Sequence, residues 1–216
     1  MQEVVTTPVG QARITRHPSP GRRAVLMLGH GAGGGVEAPD LQALAAALPA
    51  HGVEVVLVEQ PWRVAGKRIA PAPKTLDAAW VPIVEHVRGM SSDDTTGPTG
   101  TAPLFVGGRS AGARVACRTG ATSGAAGVLA LAFPLHPPGK PEKSRAAELL
   151  GTGLPTVIVQ GGADPFGTPA EFPELPPTHR LVALPAGSHE FTVRKDQNPV
   201  LALIVESVTA WISDRI

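Results

Sequence analysis

Cysteine occurs once in the 216 residues and tyrosine not at all. A single cysteine excludes an intramolecular disulfide and any metal cage built from several thiolates, and it fits a reducing, cytoplasmic setting. Aromatic residues are scarce, with 3 Trp and 5 Phe, which leaves few platforms on which nucleic-acid bases stack. Charge of one sign is lacking too: 19 Lys and Arg stand against 18 Asp and Glu, a formal net charge of +1. No nucleic-acid partner is expected. The opening Met1-Gln2-Glu3-Val4-Val5 has no basic segment followed by a long apolar one. No later apolar run is long enough to span a bilayer, so no membrane partner is expected either.

What is present is enough apolar material for a core, 43% hydrophobic against 17% charged residues, in a chain whose length suits one domain over 1–216. Glycine and proline, 25 and 23 residues, exceed their average combined share of roughly 12%. Val4 to Thr6 and Ala12 to Thr15 flank the turn signal Pro8-Val9-Gly10 and read as an antiparallel hairpin. Ala24 to Leu28 is apolar on both faces, as a buried parallel strand must be. Asp40 to Ala50 carries Leu41, Leu44, Ala45 and Leu48 at helical spacing, with Pro39 before it and Gly52 after. Strands follow over Val53 to Val58, Pro103 to Val106, Gly127 to Ala132, Thr156 to Val159 and Arg180 to Leu184. Helices follow over Thr75 to Val87, Ala111 to Thr119, Glu142 to Leu150 and Pro199 to Ile212. About eight strands, the last six alternating with helices, predict an α/β fold: a mostly parallel sheet with helices on both faces and no cap domain. Gly89 to Ala102, rich in Ser, Thr, Gly and Asp without periodicity, reads as a mobile loop away from the strand ends that would hold a site.

Ligands of such sheets gather at the carboxyl ends of the strands, and four of those junctions are informative. Gly108-Arg109-Ser110-Ala111-Gly112 matches G-x-S-x-G between a predicted strand and a predicted helix. A strand turning sharply into a helix forces the serine into strained backbone angles, and only small neighbours avoid collision. Ser110 would stand at the helix N-terminus, with the amide of Ala111 facing a developing oxyanion. Asp164 follows another strand in a Gly-rich turn before Pro165, placed to orient an imidazole; Asp-Pro turns are also common without function. His189 follows the last strand. Ser110, Asp164 and His189 therefore appear in the order Ser-acid-His, each directly after its own strand.

The fourth junction, Gly29-His30-Gly31-Ala32-Gly33-Gly34, admits two readings. Gly29, Gly31 and Gly34 satisfy G-x-G-x-x-G after a strand, and Glu59 ends the next strand where a ribose-binding acid would sit, the signature of a dinucleotide-binding oxidoreductase. Against it, Val36 to Pro39 separate the glycines from the helix whose N-terminus should hold pyrophosphate. In the alternative, the loop supplies a second oxyanion donor from the amide of Ala32, or of Gly33, and His30 positions the loop.

Together, His30 to Gly34, Gly108 to Gly112, the Asp164-Pro165-Phe166-Gly167 turn and Ser188-His189-Glu190-Phe191 resemble the α/β-hydrolase superfamily. Within it they are similar to the small, lidless, dienelactone-hydrolase-like branch that includes testis-expressed hydrolase-like proteins and the hydrolase-like domain of a chromatin-complex subunit. Phe133 to Lys143 resembles that branch as well. The resemblance implies an α/β-hydrolase fold, a Ser110-His189-Asp164 triad, an oxyanion hole at Ala32 and Ala111, no cofactor and no metal. It implies a serine esterase or related acyl hydrolase acting on a small soluble acyl substrate, or a catalytically inactive interaction domain keeping the fold. Dienelactone hydrolases proper use a cysteine nucleophile where this chain has Ser110; Cys117 reads as a core residue.

Two loops are expected to border the site, Pro61 to Pro73 and Pro134 to Arg145. They carry Arg63, Lys67, Arg68, Lys140, Lys143 and Arg145, with His136 near the start of the second. This basic rim would favour an anionic acyl substrate, although isolated loop charges are usually just solvated. His30, Gly33, Arg63, Arg109 and His136 are the expected substrate-binding residues.

Overall fold

The computed structural model describes residues 1–93, 102–193, 196 and 198–216. Residues 94–101, which fall in the stretch read as a loop, lie outside the described residues, whereas 89–93 continue a helix. Strands β1 (Gln2–Thr7) and β2 (Gly10–His17) form the expected hairpin, each longer than its apolar kernel because backbone pairing runs on through polar residues. Then come β3 (Ala24–Gly29), α1 (Pro39–Ala47), β4 (Val53–Glu59), the short α2 (Pro61–Val64) and α3 (Pro73–Asp93). The rest is β5 (Leu104–Arg109), α4 (Ala111–Thr119), β6 (Gly127–Leu131), α5 (Ala146–Leu150), β7 (Thr156–Gly161), β8 (His179–Leu184) and α6 (Asn198–Ser213).

The eight strands make one sheet in the order β1-β2-β4-β3-β5-β6-β7-β8, antiparallel at β1, β2 and β4 and parallel from β4 onward. Strict alternation fails at two places. The β7–β8 connection holds only a 3-10 turn at Pro169–Glu171, because its proline-rich chain offers no run of helix formers. The predicted helix over 142–150 splits into a 3-10 turn at Pro141–Lys143 and the five-residue α5.

Side chains alternate between two cores, as the period-2 geometry of a strand demands. Val25 and Met27 of β3, Val56 and Val58 of β4 and Val106 of β5 enter the core that contains Trp80, Ile83 and Val84 of α3 and Val115 and Ala116 of α4. Leu26 and Leu28, Val55 and Leu57, and Phe105 enter the other, beneath Leu41 and Leu44 of α1 and Ile204, Val208 and Trp211 of α6. Trp211 meets Phe105 edge-on at 5.3 Å between ring centroids. This double burial is why β3, β6 and the first half of β5 read as apolar runs, whereas β4 carries Glu54 and the partly exposed β8 begins with His179 and Arg180.

After β3 the chain adds β4 on one side and then returns to place β5 on the other. Two consecutive connections therefore diverge between β3 and β5, and a crevice opens beyond their carboxyl ends. The backbones here approach closely. A Cβ on Gly112 would lie 2.5 Å from the Gly29 carbonyl oxygen, and one on Gly108 would also overlap that oxygen. Overpacking of this kind costs about 1–3 kcal/mol, so Gly112→Ala should lower stability in urea unfolding by that order. An unchanged midpoint would mean that β3 and α4 are not held at this separation.

Candidate active site

Ser110 sits at the first bend after β5 with φ 53° and ψ −107°, outside the regions that side-chain-bearing residues normally occupy. Its N–H donates to the Leu131 carbonyl at 2.9 Å and its carbonyl accepts from Arg114 N–H at 3.1 Å. Both backbone bonds hold the strained residue in place and leave Oγ facing the crevice. Oγ lies 2.8 Å from His189 Nε2, and His189 Nδ1 lies 2.8 Å from Asp164 Oδ2. The three predicted residues, brought from the ends of β5, β7 and β8, form one connected line. Since a carboxylate oxygen faces Nδ1, that nitrogen carries the proton, and Nε2 is free to accept from the serine hydroxyl.

Asp164 is buried and fully engaged: Gln160 Nε2 donates to Oδ2 at 2.9 Å and Phe166 N–H to Oδ1 at 2.8 Å. The same Gln160 amide donates to the Gly167 carbonyl at 2.8 Å, closing the turn that presents the acid. The Phe166 ring lies against the His189 imidazole, 4.1 Å between centroids at 33°. Arg109 Nη2 donates to the His189 carbonyl at 2.8 Å, while its Nε faces Asp40 at 3.5 Å. Asp40 is almost fully buried; desolvation raises its pKa, with Arg109 opposing that shift.

Around Ser110 lies a cavity of about 390 Å³. Gly31, Ala32, Gly33 and Ala111 form one part of its wall, Phe166 and His189 another, and Arg109, Arg114 and Arg145 a cationic side, with Glu190 at the rim. A Cβ on Gly31 would touch Ser110 Cβ at 3.5 Å, so the glycine loop and the serine bend are in packing contact. Among the described residues, neither the Ala32 nor the Ala111 amide donates to a protein acceptor. Two N–H groups thus border the cavity beside Ser110. No group of three or more His, Cys, Asp or Glu among the described residues is arranged to hold a metal ion. None of the described helices is long and apolar enough to cross a membrane.

Three of the expected substrate-binding residues lie outside this cavity. His30 is buried: Gln60 N–H donates to its Nε2 at 3.1 Å, its Nδ1–H donates to the Gly31 carbonyl at 2.8 Å, and Trp62 covers it at 5.5 Å. It fixes the glycine loop from behind. Arg63 is turned by α2 toward Glu37, 3.5 Å away. His136 is held by the Pro137 carbonyl and by Glu171 at 3.1 Å. Gly33 and Arg109 do line the cavity. Of the basic rim only Arg145 reaches it, because its loop folds back through Arg145 N–H to the Leu135 carbonyl at 2.7 Å. Arg114 was not anticipated, although it stands four residues after Ser110, one turn along the same helix face. Gln160 and Asp40 carried no sequence signal beyond a polar residue ending a strand or opening a helix. Cys117 is buried, and desolvation pushes its thiol far above the ordinary range, which suits a packing residue.

The dinucleotide reading does not survive this geometry. Arg13 occupies the Glu59 carboxylate at 3.1 Å, and the glycine loop faces the serine bend across the crevice. Residues 22–216 match the family model described as alpha/beta hydrolase domain. The chain belongs to this family. Among solved structures, it is similar to an alpha-beta serine hydrolase homologue from Coxiella burnetii, with TM-score 0.76 and 18% identity over 96% of this chain and 97% of that one. A lidless serine hydrolase from Xanthomonas campestris gives TM-score 0.73 and 19% identity over 98% and 94%. A dienelactone hydrolase from Anabaena variabilis gives 0.67 and 18% over 99% and 97%. In this alpha/beta hydrolase no cap stands over the strand ends among the described residues.

Burial lowers the His30 pKa from its ordinary 6.5, against the opposing bond to Gly31. The folded state therefore resists a proton that the unfolded chain accepts, so His30 withdraws stability as the pH falls below 6.5. Long-range proton–nitrogen spectra should show His30 as the neutral Nδ1–H tautomer with a midpoint below 6.5. A midpoint at or above that value would contradict the buried, doubly tethered ring.

Proposed function

We propose that this alpha/beta hydrolase is a serine hydrolase that cleaves small soluble acyl esters through a covalent acyl-enzyme. The single observation that carries the reading is the line Ser110 Oγ, His189 Nε2, Asp164 Oδ2, with 2.8 Å at each step and the buried acid at its far end.

Each group then has a definite part. His189 Nε2 takes the Ser110 proton as Oγ bonds to the acyl carbon, and Asp164 holds the Nδ1–H tautomer and stabilises the imidazolium. The carbonyl oxygen becomes an oxyanion and is met by the amides of Ala32 and Ala111, the second at the N-terminus of α4, where the helix dipole adds to it. The imidazolium returns its proton to the departing alkoxide. Water, deprotonated by the same imidazole, attacks the acyl carbon; the bond to Oγ breaks, the imidazolium returns its proton to Ser110 Oγ, and a carboxylic acid departs. Gln160 and Phe166 are positioning residues: one fixes the acid and the other the plane of the imidazole. None of these steps calls for a cofactor.

A fluorophosphonate probe should label Ser110 with loss of fluoride, and peptide mass spectrometry should find the adduct there. Labelling should vanish in Ser110→Ala and slow by about 10³-fold or more in His189→Ala, in keeping with the loss of a general base from a triad. Absence of labelling together with failure to cleave short-chain esters would favour a non-catalytic interaction domain. An adduct at any other residue would refute the assignment.

A further inference from the structure

The cationic side of the Ser110 cavity is a built feature, and its charges are not all matched. Arg114 forms a two-point pair with Glu148, Nε to Oε2 at 2.7 Å and Nη2 to Oε1 at 2.6 Å. Arg118 bridges the same Glu148 at 3.0 Å and Asp77 at 2.6 Å. The two carboxylates are thereby committed to two guanidiniums on α4. Arg145, beside them in the cavity wall, has one side-chain bond, from Nη1 to the Pro134 carbonyl at 3.1 Å, and no carboxylate partner among the described residues. Its environment is electrostatically unfavourable to it. Burial and the neighbouring Arg114 lower its pKa, with Glu148 opposing. Arg109, the third guanidinium, is occupied by the His189 carbonyl and Asp40. The one carboxylate in the lining, Glu190, is exposed at the rim.

A half-buried guanidinium with free donors, next to a second cation and facing a cavity that contains the serine, is a receptor for a carboxylate. We propose that Arg145, supported by Arg114, binds a free carboxylate at the end of the substrate's acyl chain, so that the natural substrate is a half-ester of a dicarboxylic acid. This rests on the acyl-hydrolase reading of the same site. The anion belongs on the acyl part because the alcohol departs in the first step, whereas an acyl-side anchor holds through both formation and hydrolysis of the acyl-enzyme. Lys67, Arg68, Lys140 and Lys143 take no part, since none of them lines the cavity.

The test compares monomethyl glutarate with methyl pentanoate, which differ by a carboxylate against a methyl at the chain end. Hydrolysis of the first consumes water and yields glutarate and methanol, read in a pH-stat. Wild-type kcat/KM should favour monomethyl glutarate by about tenfold to a hundredfold, the size of a charge-assisted hydrogen bond. Arg145→Gln, which keeps a donor for Pro134 but loses the charge, should bring the ratio near unity, and Arg145→Lys should restore part of it. Thermal melting confirms that each variant is folded. Independently, calorimetry with Ser110→Ala should detect glutarate binding that Arg145→Gln in that background weakens about tenfold or more. Equal kcat/KM for the two esters in the wild type, or an undiminished preference in Arg145→Gln, would overturn the inference and leave the acyl-hydrolase reading intact. Arg145-dependent glutarate binding with neither ester cleaved would support the anion subsite and count against the hydrolase reading. No binding and no cleavage would overturn both.

Discussion

The close approach of two backbones, the end of β3 and the bend between β5 and α4, is the constraint on which the rest of the site depends. Glycine at 108 and 112 is what permits it, because a side chain at either would collide with the Gly29 carbonyl. This contact lies at the point where the strand order reverses, so the crevice needs no hinge or second domain to form it. It brings the Ala32 and Ala111 amides to the same cavity as Ser110. It also fixes the strain: φ 53° at a serine persists only because the bonds to Leu131 and Arg114 and the packing of Gly31 over-determine it.

A second layer of buried polar groups supports the imidazole. Gln160 holds Asp164, Asp164 holds His189 Nδ1, and Arg109 holds the His189 carbonyl from the opposite direction. The pairing of Arg109 with Asp40 behind it is loose, at 3.5 Å, and both Asp40 oxygens lack a hydrogen-bond partner. Burying such a pair contributes little to stability, since desolvation offsets most of the attraction. Its effect is positional. With Asp40 nearby, Arg109 can be buried beside Ser110 while its outer nitrogen anchors the loop that carries His189. His30 fixes the glycine loop in the same way from the other side of β3, as a neutral ring between the Gln60 amide and the Gly31 carbonyl.

Much of this was legible in the sequence because local chemistry and long-range order agree. The apolar runs 24–28 and 103–106, and 53–58 with only Glu54 interrupting, read as parallel strands because they are buried on both faces. G-x-S-x-G declared its bend because glycine has few other reasons to flank a serine between strand and helix. Placement of charged side chains was the weak point. Arg63 sits on α2, in a segment that does not line the cavity, and His136 in a loop of which only Pro134 and Arg145 do; each finds a carboxylate elsewhere, Glu37 and Glu171, and turns away. Which partner a long side chain takes depends on tertiary neighbours distant in sequence, such as Arg118 with Asp77 or Arg109 with Asp40. Gln160 is silent for the same reason: its role exists only once Asp164 and Gly167 are folded around it. The glycine pattern at 29, 31 and 34 misled toward dinucleotides because the motif counts spacing alone: a Cβ on Gly34 would meet nothing within 4 Å and one on Gly31 only ordinary contact.

In the proposed mechanism Ser110 becomes covalently acylated during turnover. Acid-quenching the protein during cleavage of p-nitrophenyl acetate and mapping it by peptide mass spectrometry tests this most directly. An acetyl group is expected on the peptide bearing Ser110, appearing with the first burst of p-nitrophenol and removed as the ester is exhausted. Steady release of p-nitrophenol with Ser110 unmodified at every time point, or an acetyl group that accumulates on another residue in step with turnover, would contradict it.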